Sequence, residues 1–186
     1  MKSDSGDPWY VHAGLYLIIA ILTVILIKVA IIDPKEYMEA ERYYKSESRL
    51  RMTNIKEAEI LWQKKFGNFS GDLKGLIMFV KNDPYVDSVM NGYDSLTRKS
   101  TNPFKKLTSG EFTPDSLMFS PKTHSQYTLQ VDTTTSVDTV VNRRGKITRI
   151  DSTVVLGARY FLKDPDGYGT VGDLYNDALK NTSSWQ

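Results

Sequence analysis

The chain has 186 residues, 24 Lys and Arg against 22 Asp and Glu, and no Cys. The near-neutral charge leaves no electrostatic footprint for nucleic acid, and the missing thiols exclude a disulfide framework and any thiolate metal site. Beyond the N-terminal apolar segment, enough chain remains for one modest domain with a core of its own.

After a polar tail over residues 1–12, residues 13–32 read AGLYLIIAILTVILIKVAII. That run is as long as a helix needs to cross a bilayer. Its one charge, Lys28, stands near an end, where a long side chain snorkels to the headgroups. Trp9, Tyr10 and Tyr16 fall where an interfacial aromatic belt belongs. A cleaved signal peptide is a poorer reading. The tail carries Asp4 and Asp7 against Lys2, the apolar run is too long, and no small-residue cleavage site follows Ile32. The expected arrangement is one uncleaved membrane helix.

Two signals bear on orientation, and they conflict. Lys28, Lys35, Arg42, Lys45, Arg49 and Arg51 crowd the C-terminal flank, which favours a cytoplasmic C-terminal domain. The region after Asp87 is instead rich in Ser, Thr, Asn, Tyr and Gly, as secreted surfaces are, and the expectation follows it to the periplasmic side.

Asp33-Pro34 reads as an N-cap with Pro at the first helical position, so a helix restarts or bends there. Residues 35–66 hold neither Gly nor Pro and are dense in strong helix formers. Their first half is polar all round, with pairs such as Glu41 and Lys45 at i,i+4. Their second half sets Met52, Ile55, Ala58, Leu61, Trp62 and Phe66 along one face. Gly67 caps that helix. Another begins at Asp72, with Leu73, Leu76, Ile77 and Val80 as its stripe, and Asn82-Asp83-Pro84 ends it.

Residues 85–121 read as loop-rich, punctuated by Pro103, Gly110 and Pro114. From Gln126 the period becomes two. Tyr127, Leu129 and Val131 alternate with polar residues, and Val137–Val141 and Lys146–Ile150 flank a turn at residues 142–145. Thr153–Leu156 and Arg159–Leu162 are separated by a bulge at Gly157. The expected fold is α+β: a transmembrane helix over 13–32, a stalk and amphipathic helix over 33–66, and a globular domain over 67–186. In that domain a small antiparallel meander of three or four short strands packs on the helix.

This order of elements resembles the pilin and pseudopilin layout. Lys56-Glu57-Ala58-Glu59, Phe66-Gly67-Asn68-Phe69-Ser70 and the spaced Leu73 and Leu76 are similar to the pseudopilin pattern at the end of its long helix. Asn102-Pro103-Phe104 is similar to that family's Asn-Pro-aromatic loop. Residues 164–177 followed by Ser183-Ser184-Trp185 resemble its acidic, glycine-rich C-terminal loop. Pilins carry a Glu near the start of the membrane helix, and Ala13–Ile32 has no acidic residue. The layout also resembles uncharacterised single-pass envelope proteins of Bacteroidota. Asp-Ser/Thr tripeptides that recur at Ser88, Ser95, Ser116, Thr133, Thr139 and Ser152, four of them with an aliphatic third residue, resemble that phylum's Asp-Ser/Thr-aliphatic periplasmic O-glycosylation acceptors. The resemblance implies a non-enzymatic structural or assembly component of a bacterial envelope complex, of the secretion or pilus type. It would sit in the inner membrane with a periplasmic domain and bind other envelope proteins or its own copies through helices. The readings it competes with are a cytoplasm-facing adaptor held by a signal anchor and a membrane-tethered ligand or glycan-binding module.

No catalytic motif stands out. His12 lies at the membrane boundary and His124 in a Ser/Thr/Pro loop, with no sequence sign of a pair. No cofactor is expected. Asp164-Pro165-Asp166-Gly167, with Asp173 beyond, has oxygen ligands at alternate positions before a Gly, as a calcium loop does; an ordinary tight turn uses the same residues. Arg143 and Arg144 read as hairpin-tip charges, available to an anion or a lipid headgroup.

Overall fold

The computed structural model describes residues 8–108, 110–142 and 145–186, with backbone alone for 134–138, 141 and 150–155. The fold is α+β, a long N-terminal helix followed by small antiparallel sheets. Arg143 and Arg144 lie outside the described residues. Two compact units divide at Tyr43/Tyr44.

In the first unit, α1 spans Trp9–Ile27, 19 residues and about 29 Å at 1.5 Å per residue, with none of its residues buried. It is the one described helix long and apolar enough to cross a membrane. Helical backbone then continues through Lys28–Ile32 as a π turn into α2, Asp33–Phe66. Asp33 is not the extended N-cap its neighbour Pro34 implied. It holds right-handed helical angles, and its N–H donates to the Lys28 carbonyl. The reason lies in Pro34. Its ring would strike the Ala30 carbonyl of an unbroken α-helix, and one wider turn clears it without ending the helix.

The second unit takes up the rest of α2. Met52, Ile55, Ala58 and Leu61 are buried along one face, as the spacing predicts. Gly67, at φ +82°, closes the helix by donating to the Gln63 carbonyl. Helix α3, Leu73–Asn82, opens on Asp72, whose carboxylate accepts from the N–H groups of Lys74 and Gly75. Its stripe of Leu73, Leu76, Ile77 and Val80 is buried with Phe79 against α2. Trp62 meets Phe79 edge-on at 5.1 Å between ring centres. Asp72→Ala removes the acceptor for two N–H groups and is expected to cost about 1 kcal/mol in urea unfolding.

The segment expected to be loop-rich carries structure. Asp83 caps a further short helix, α4 (Pro84–Met90), with Pro84 in its first turn. The residues read as a stop are also a helix start. Strands β1 (Tyr93–Asp94) and β2 (Lys99–Ser100) form a small hairpin, and Pro114–Leu117 makes a 3₁₀ turn.

The second sheet has three strands in the order β3-β4-β5, all antiparallel: Thr128–Val141, Ile147–Lys163 and Thr170–Gly172. The short segments expected of a meander are therefore two long strands and one short one. Tyr160 and Leu162 of β4, Val171 of β5 and the preceding Tyr127 are buried in the core. The bulge expected at Gly157 is present, with φ +71° opposite a register shift between Val131 and Thr133.

Candidate functional site

Among the described residues, four of the eight buried polar or charged residues lie on α2. Ser48 and Glu59 lie four residues before Met52 and four after Ile55, on the apolar stripe itself, and Glu47 and Asn54 flank it. Each holds a distant segment of chain. Asn54 donates to the Lys105 carbonyl at 2.9 Å and accepts the Lys105 N–H at 2.8 Å. That clasp follows the Asn102-Pro103-Phe104 motif. Asn102 accepts the Phe104 N–H at 2.9 Å, and the buried Phe104 stacks on Phe112. Glu47 accepts the Thr108 N–H at 3.0 Å and the Arg51 Nε at 3.1 Å. Burial would raise its carboxyl, but Thr108 and Arg51 hold it below the ordinary carboxylate range.

Ser48 anchors the loop singled out for calcium. Its hydroxyl donates to Asp164 Oδ1 at 2.9 Å, so at 3.0 Å the Tyr127 hydroxyl donates to Ser48 in turn. Asp164 Oδ2 accepts the Tyr168 N–H at 2.8 Å. Burial pushes the Asp164 carboxyl up, against these bonds to its anion. Arg49 donates to the Tyr168 carbonyl at 3.1 Å, and its guanidinium lies 5.3 Å from the Trp185 ring centre. The C-terminal loop is thus fastened to α2 by Ser48 and Arg49.

In this geometry the three carboxylates of the calcium reading have protein partners. Asp166 accepts the hydroxyls of Ser120 and Thr123, and Asp173 accepts the N–H groups of Tyr175 and Asn176, each at 2.7 Å. Protein donors occupy the three carboxylates, and among the described residues no three acidic, His or Cys groups are placed to hold a metal ion. Alternate acids before a Gly served a turn and its docking, which the same residues suit equally well.

Asp173 instead lines two shallow depressions on the sheet. One, about 200 Å³, includes Thr170, Thr182, Ser184 and Leu179; the other, about 250 Å³, includes Gln130, Phe161, Leu174 and Tyr175. Arg159, bound to Asp132, donates to the Tyr175 carbonyl at 2.9 Å. Both are smaller than the 300–1,000 Å³ typical of sites that enclose a small molecule, and they suit contact with a side chain or loop. His124 is exposed in a turn at φ +54°, and His12 is exposed on α1.

Of the serines and threonines that follow Asp, Ser88, Ser95, Thr133 and Thr139 are exposed and Ser116 is half-buried; the side chain of Ser152 is outside the described residues. Sequence reasoning missed Glu47, Ser48, Asn54 and Glu59, although the stripe position of Ser48 and Glu59 was a usable signal. No protein-family model matches the chain, and no curated protein or solved structure matches it.

Proposed function

We propose that the chain is a single-pass inner-membrane protein of a bacterial envelope, with a periplasmic domain that acts as a non-enzymatic assembly component, pseudopilin-like in layout. The observation that carries this reading is α1: a strongly apolar helix of bilayer length with no charged Asp, Glu, Lys or Arg and no residue buried. A soluble protein would have to cover such a surface. Within the second unit, α2 supplies Met52, Ile55, Ala58 and Leu61 to the core. The flanking cations weigh less against a periplasmic domain than their number implies, because two of them serve the fold. Arg49 binds the Tyr168 carbonyl, and Arg51 binds Glu47 and the Phe119 carbonyl. The exposed Asp-Ser and Asp-Thr sites are the proposed glycan acceptors.

Because the chain lacks Cys, Leu96→Cys gives it a unique thiol at a position 94% exposed. The protein is expected in the pellet after carbonate extraction of membranes, and the thiol is expected to react with a membrane-impermeant maleimide in intact spheroplasts. Release by carbonate overturns the anchor. Labelling only after detergent overturns the periplasmic side and leaves the cytoplasm-facing adaptor.

A further inference from the structure

Strand β5 pairs with β4 only at Phe161, Leu162 and Lys163. Beyond the Gly157 bulge the sheet narrows to a two-stranded ribbon, paired without a break from Thr133 opposite Leu156 to Val140 opposite Arg149. Among the described residues no other strand lies along either edge of it. Val140, Ile147 and Leu156 on this ribbon are about half exposed. A two-stranded ribbon in water is marginal by itself, and proteins usually blunt such edges with Pro, Lys or a bulge. Neither Thr133–Val141 nor Ile147–Leu156 contains Pro or Lys, and the bulges fall only at the ribbon's ends. The composition is dominated by Thr, Val and Ile, β-branched residues that pair well in strands.

We infer that the outer edge of β4 from Ile147 to Thr153 pairs antiparallel with the same edge of a second copy of this chain, centred on Ile150, giving one four-stranded sheet. Charge selects both the occupant and the register. With Ile150 opposite its copy, Arg149 of each chain stands in register with Asp151 of the other, and Thr148 with Ser152. Centring on Arg149 or on Asp151 sets like charges against each other, which opposes pairing. The edge is complementary to itself in one alignment, as a two-fold interface requires. The inference rests on the assembly reading above, to which it adds one partner.

The absence of Cys makes the test direct. Ile150→Cys in the full-length protein, oxidised in native membranes, is expected to give a reducible dimer. Thr148→Cys alone and Thr139→Cys on the opposite edge are expected to stay monomeric, while Thr148→Cys co-expressed with Ser152→Cys cross-links. Arg149→Asp is expected to lower cross-linking at Ile150→Cys by at least about tenfold, and adding Asp151→Arg to restore it. The proposal is overturned if neither Ile150→Cys nor the Thr148/Ser152 combination cross-links. Equal cross-linking at Thr139→Cys, or indifference to the charge reversal, overturns it too. Carbonate extraction and Leu96→Cys labelling of the same membranes report separately on the anchor and its side.

Discussion

Raising the pH from 5 to 8.5 is expected to destabilise the second unit, and Glu59→Gln is expected to abolish most of that loss. Glu59 is fully buried on α2. Oε2 accepts the Ser70 N–H at 2.9 Å, while Oε1 has no hydrogen-bond partner. The hydroxyl of Tyr160, also buried, has none either, and burial, with Glu59 and Glu57 nearby, pushes its ionisation up. Burial raises the Glu59 carboxyl to about 8, against the one bond from Ser70. The folded state therefore keeps a proton that the unfolded chain releases near its ordinary value of 4.5. Stability from this group is fully present below that value and is lost as pH rises through the folded one. A shift of this size amounts to about 5 kcal/mol across the window, at about 1.4 kcal/mol per unit.

Glutamine keeps the acceptor for Ser70 and carries no charge at any pH. Urea unfolding of the full chain in detergent, followed by near-ultraviolet circular dichroism, should place Glu59→Gln near the wild type at pH 5. At pH 8.5 the variant should be the more stable by several kcal/mol. Asp164, raised by burial in the same direction, leaves a smaller slope in the variant at lower pH, and the lowered Glu47 contributes the opposite slope in acid. Parallel wild-type and variant curves would rule out Glu59 as the titrating group.

Local rules worked where the physics is local. Asp72 caps α3 through its own neighbours, Gly67 closes α2 with a left-handed turn, and the apolar stripes of both helices face the core. They failed where a partner comes from far along the chain. Ser48 reaches Asp164 and Asn54 reaches Lys105, pairings that no window of sequence contains, so polar residues on a helix read as solvated. Asp83-Pro84 read as a stop because α4, seven residues long, is too short to show a period. The ribbon read as separate short strands because polar residues such as Asp132, Asp138 and Asp151 interrupt its apolar alternation, while pairing along its length keeps both strands extended. Asp164 and Asp166 looked like metal ligands because a cation and a set of N–H and O–H donors ask for the same oxygens.

Gly157→Ala tests the junction where that ribbon leaves the core. The residue is buried at φ +71°, a conformation that costs an L side chain about 1–2 kcal/mol. A Cβ there would stand 2.6 Å from the Phe69 carbonyl oxygen and 3.1 Å from its nitrogen. Those are backbone atoms and cannot rotate away. The Phe69 N–H also donates to the Gly157 carbonyl at 2.8 Å, and the Phe69 ring packs on Tyr160 at 4.7 Å. Relieving the contact therefore pulls apart a hydrogen bond and a core aromatic pair together. The expected loss is about 3 kcal/mol or more, or roughly 10 °C in Tm for a unit of this size. Gly67→Ala supplies the comparison, because Gly67 has a similar φ of +82° with nothing within 4 Å of the added carbon. It should show the conformational cost alone, about 1 kcal/mol. Thermal unfolding of the two variants side by side measures the difference. Equal losses would mean that the backbone of Phe69 gives way freely, and that the bulge serves only to turn the strand.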